Sequence, residues 1–89
     1  MKIYIVSFDL QGGDARNYES ISAALEKCGD VNHFQKSACL VASELTAKEI
    51  RAAVLPELNG EDSVFVARLE GEWTGRFTRV AAWIMENNK

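Results

Sequence analysis

Two cysteines, one proline and one histidine are all that the 89 residues contain of those types. Cys28 and Cys39 show no CxxC spacing and His33 stands alone, so neither a disulfide framework nor a zinc site is expected. Within LEKC and SACLV the thiols sit among apolar neighbours and read as small core side chains of a reducing compartment. No apolar run approaches the roughly 20 residues needed to cross a bilayer. The opening MKIYIVSFDL stops at Asp9 with no small-residue cleavage site, so no signal peptide is expected and the chain is assigned to the cytoplasm, without a membrane partner. A basic excess is also missing. Thirteen acids against ten bases leave a net charge of −3, which counts against nucleic acid as the default partner unless a local basic patch survives.

What is present is globular. Apolar residues make up 47% of the chain and charged residues 26%, which excludes a disordered tail or a low-complexity linker. A chain of this length builds one core, so residues 1–89 are expected to form a single domain.

Residues 2–10, rich in β-branched and aromatic side chains, predict a strand that ends at the Gly12-Gly13 turn. Tyr18, Ile21, Ala24, Leu25 and Cys28 share one side of a helix over 15–28, and Gly29 follows at the left-handed position common at helix ends. Residues 31–36 and 38–43 read as a hairpin. Thr46 and Glu49 fit a capping box, and Pro56 sets the stop of the helix behind it. Residues 57–62 read as turn, 63–70 as a strand, and 75–87 as a helix with Phe77, Val80, Ala81 and Ile84 on its apolar side. The order β-α-β-β-α-β plus a helix predicts an α+β, ferredoxin-like domain with an additional C-terminal helix. The first and third strands belong at the sheet centre, and the third helix must cover an edge or part of the open face.

Asp9 is the most informative polar residue. A carboxylate at the end of a central strand before a Gly-Gly loop can face a ligand or a divalent cation; it can equally cap the amides of residues 11–13. Arg76, Arg79, Trp83 and Asn87 project together from the last helix. That group offers phosphate contacts with a stacking ring, or else Trp83 marks the core margin with Arg79 over it. His33 reads as a polar sheet residue, with no nucleophile paired to it. Trp73 is expected to anchor the connection into the last helix.

YIVSFDL, a helix ending ALEKCG and the segment FQKSACLV together resemble the small ferredoxin-like CRISPR-associated adaptation proteins, the second Cas family. The matching pieces are Phe8-Asp9, Gly29 and Gln35-Lys36-Ser37. Short stand-alone relatives of that family look closer still, and the virulence-associated protein D toxins share the fold. The resemblance implies a homodimer and, in some members, cleavage of RNA or DNA dependent on Mg²⁺ or Mn²⁺, with the strand-end aspartate of each copy flanking the two-fold axis. Asp9 alone carries over as a metal ligand. Arg16 is the one positive charge in the segment that is typically basic in the family, and with Arg76, Arg79 and Trp83 it completes the candidate nucleic-acid contacts. That sparse loop, and a helix where the family usually ends in an exchanged strand, both count against cleavage. The rival reading is a non-catalytic dimeric module that binds a protein partner.

Overall fold

The chain forms β1 (Lys2–Asp9), α1 (Ala15–Glu26), β2 (Asp30–Gln35), β3 (Ala38–Ser43), α2 (Ala47–Val54), β4 (Ser63–Arg68) and α3 (Ala81–Asn87), with one 3₁₀ turn at Leu55–Glu57. This computed structural model describes residues 1–11, 15–75 and 80–87, without the side chains of 15–17. The strands make one antiparallel sheet in the order β2-β3-β1-β4. β1 and β3 are central, as their apolar character predicts, and every residue of β3 is buried.

Strand alternation divides the core in two. On one face Tyr4, Val6 and Phe8 of β1 and Cys39 and Val41 of β3 meet Ile21 and Leu25 of α1 and Ile50 and Val54 of α2. The Phe8 and Tyr18 rings lie tilted at 55° with centroids 5.8 Å apart. On the other face Ile3, Leu40 and Ala42 meet Val80 and Ile84. The third helix therefore covers part of the otherwise open face, and it does so from within the same chain.

Local signals account for most boundaries. Thr46 Oγ1 accepts from the Glu49 amide at 3.2 Å and Glu49 Oε1 accepts from the Thr46 amide at 3.0 Å, so the capping box forms as its spacing predicts. These bonds, mainly the one from the Thr46 backbone, lower the Glu49 pKa. Pro56 falls in the 3₁₀ turn directly after α2.

Three expectations change. α1 ends at Glu26 rather than 28. Gly29 does not adopt positive φ, unlike Gly60 and Gly71; a Cβ at Gly29 would instead meet the backbone of Ala42 and lie 3.2 Å from the Cα of Ser43. α3 begins at Ala81 rather than 75, with Thr74 and Gly75 outside any helix and 76–79 outside the described residues. The chain leaves β4 at a sheet edge and must reach the face opposite α1 and α2, a crossing made by the non-helical stretch from Leu69 through Gly75.

Both thiols are core side chains. Burial pushes the Cys39 thiol up to about 12 and raises that of half-buried Cys28. Because the proton is held more tightly in the folded state, the stabilisation from Cys39 is complete below the ordinary thiol value and is lost as pH rises from about 9 toward 12. Iodoacetamide at pH 8 should label Cys28 first, with Cys39 reacting only after denaturant is added. Equal labelling of both in the folded protein would contradict this.

Candidate functional site

β1 carries Asp9 to its C-terminal end, where the side chain is exposed. Asp9 Oδ2 accepts from Gln11 Nε2 at 3.2 Å. The Gln11 amide, which an Asp9 cap would have taken, donates instead to Asp62 Oδ1 at 2.7 Å, while Asp62 Oδ2 accepts from the Asn59 amide at 2.8 Å. Asp62 thus ties the β1 exit to the turn before β4. The sequence marks 57–62 as turn but carries no local sign of this second, long-range bond.

Alternation puts Asp9 on the sheet face shared by Ser7, Ile5 and Ile3. α3 covers the Ile3 end. Across the ladder Asp9 pairs with Ser63 and Ser7 with Phe65. All four are exposed, Phe65 at 67%. The uncovered end of this face is therefore a polar strip with one aromatic at the outer strand.

Of the other candidates, the two that are described, Trp83 and His33, do not join Asp9. Trp83 packs beside Ile3, Leu40 and Ala42, and its Nε1 donates to Asp30 Oδ2 at 3.1 Å. Ile3 and Asp9 are six residues apart along β1, about 20 Å at strand rise, so Trp83 and Asp9 mark opposite ends of the face. Trp83 is core margin, with its polar edge occupied by Asp30. The side chain of Arg16, at the start of α1, and the whole of Arg76 and Arg79 lie outside the described residues. His33 faces α1, with Nε2 4.0 Å from Glu26 Oε1. Trp73 lines an apolar cavity of about 110 Å³ with Ile5, Phe34, Leu40, Val80 and Ile84, which fits an anchoring role.

Among the described residues, Asp9 belongs to no group of side chains that would hold a resident Mg²⁺ or Mn²⁺ within one copy. No three His, Cys, Asp or Glu side chains of these residues converge, and the group that donates to the Asp9 carboxylate is the Gln11 side-chain amide.

No family model and no curated protein matches the chain. The solved structure of a hypothetical protein from Thermus thermophilus superposes with a TM-score of 0.60 at 21% identity, covering 84% of this chain and 92% of that one. This likeness is one of fold: a small α+β domain with a four-stranded antiparallel sheet and three helices. No helix among the described residues is long and apolar enough to cross a membrane.

Proposed function

We propose that this chain is a homodimeric, nucleic-acid-associated cytoplasmic protein on the ferredoxin-like βαββαβ plan, of the Cas-two-like kind, extended by a C-terminal helix. The observation that carries the reading is the position of Asp9. It stands exposed at the end of a central strand in the antiparallel order β2-β3-β1-β4, on the face whose opposite end packs against Val80 and Ile84. The Phe8-Asp9 and Gln35–Ser37 resemblance supplies the dimer and the class of partner. One carboxylate per copy supplies no phosphate contact, so the class of partner rests on the resemblance, and no cleavage step follows from Asp9 alone.

In this dimer the two Asp9 side chains face each other near the axis, and like carboxylates repel. Replacing Asp9 by Asn should leave the dimer as tight or tighter. A unit-charge pair in water is worth about 1 kcal/mol at 4 Å, so the gain reaches about fivefold in dissociation constant at low salt. It should shrink as salt screens the pair. Sedimentation of both proteins over the micromolar range checks this, and a dimer weakened by the substitution would remove Asp9 from the axis.

A further inference from the structure

The two edges of the sheet differ. β2 is irregular, with a register shift between Asn32 and Gln35, and irregularity of this kind blocks the addition of another strand. β4 runs in unbroken register with β1 from Ser63 to Arg68, without proline or lysine, and no described strand pairs with its other side. The Leu69 amide donates to the Ile3 carbonyl at 2.8 Å, which extends that ladder by one pair and sets its phase. Residues 63, 65 and 67 bond inward, so Val64, Val66 and Arg68 direct their N–H and C=O groups outward. Beside this edge α2 overhangs a groove of about 580 Å³ lined by Ala47, Lys48, Arg51 and Val64–Val66. Lys48 and Arg51 are exposed and have no ion-pair partner among the described residues. Phe65 lies on the opposite side of the same strand, exposed.

We propose that the β4 edge is a docking site for an extended protein segment in which acidic and apolar residues alternate. Added as a fifth strand, the segment takes its main-chain bonds from Val64, Val66 and Arg68. Its alternate side chains fall on two faces, and each face has a chemistry. Those under α2 meet Lys48 and Arg51 and must be acidic. Those on the other side meet Phe65 and must be apolar. The edge shares Phe65 with the exposed strip beside Asp9 but uses neither Asp9 nor Arg16, Arg76 or Arg79, so Asp9→Asn tests the first reading without altering this one.

The test uses the full chain and three fluorescein-labelled hexapeptides: alternating Glu-Val, a block isomer of three Glu then three Val, and alternating Lys-Val. Anisotropy should show the alternating Glu-Val peptide binding about tenfold or more tightly than the other two. The paired change Lys48→Glu/Arg51→Glu should weaken that peptide about tenfold and favour the Lys-Val peptide, while Phe65→Ser weakens it several-fold. All three positions are exposed, so melting temperatures should hold and the variants report on binding. Equal affinity for the block isomer, no binding at about 1 mM peptide, or indifference to charge reversal would overturn the proposal. So would displacement of the bound peptide by single-stranded RNA at equal charge, which would assign the edge to nucleic acid instead.

Discussion

Gly29→Ala should lower the melting temperature by more than the same change at Gly60 or Gly71, where no atom lies near the added Cβ. The new Cβ would be driven into the Ala42 backbone, 3.0 Å from its carbonyl carbon and closer still to its oxygen, with the Ser43 Cα at 3.2 Å. These are backbone atoms of the central strand β3, where every residue is buried, so no side chain can swing aside. The neighbourhood is also fastened from the other side: Ser43 Oγ donates to the Cys28 carbonyl at 2.6 Å and accepts from the Leu45 amide at 3.0 Å. Relief requires the α1–β2 connection to move away from β3 and loosens both bonds. Overpacking a close contact costs roughly 1–3 kcal/mol and more where the obstacle is backbone; about 3 kcal/mol corresponds to a fall of roughly 12–24 °C for a domain of this size. Thermal melts by circular dichroism check it. A fall of less than a few degrees would show that the connection has room.

Ile84→Ala should be the second large loss. α3 has seven residues, too few to persist alone, and among the described residues it is held to the sheet by Val80, Ile84 and Trp83, which packs beside them and donates to Asp30. Ile84 is 4% exposed against Ile3, Leu40 and Ala42. Truncation of a buried isoleucine costs about 2–5 kcal/mol, including the cavity left behind. Met85, one residue along the helix, is 73% exposed, and Met85→Ala should change stability by less than about 0.5 kcal/mol. Equal melting temperatures for the two variants would mean that α3 does not cover this face in solution.

How far the sequence reads depends on how local each cause is. The capping box at Thr46, the stop near Pro56 and the alternation of Tyr4, Val6 and Phe8 are set by neighbours in the chain, and the structure follows them. Gly29 is legible as a glycine that ends a helix, but its reason is the approach of β3, thirteen residues on. Asp62 binds an amide 51 residues away and carries no sequence signal beyond turn composition. The apolar spacing of Val80 and Ile84 locates the last helix, while Thr74 and Gly75 fall outside any helix because the crossing from the β4 edge to the opposite face uses them. Exposure of Phe65 depends on where α3 settles, which no periodicity within β4 encodes.

The proposed association with nucleic acid is tested most directly by the affinity for mixed-sequence RNA and DNA as a function of salt. Each phosphate contact made by Lys or Arg releases counterions and steepens the dependence. Arg16, Arg76 and Arg79, the candidate contacts, make about three of them, giving roughly a 40-fold loss of affinity between about 50 and 200 mM salt. Binding that weakens on this scale is the predicted result. No binding at about 50 mM salt, or binding that ignores salt, would contradict the reading.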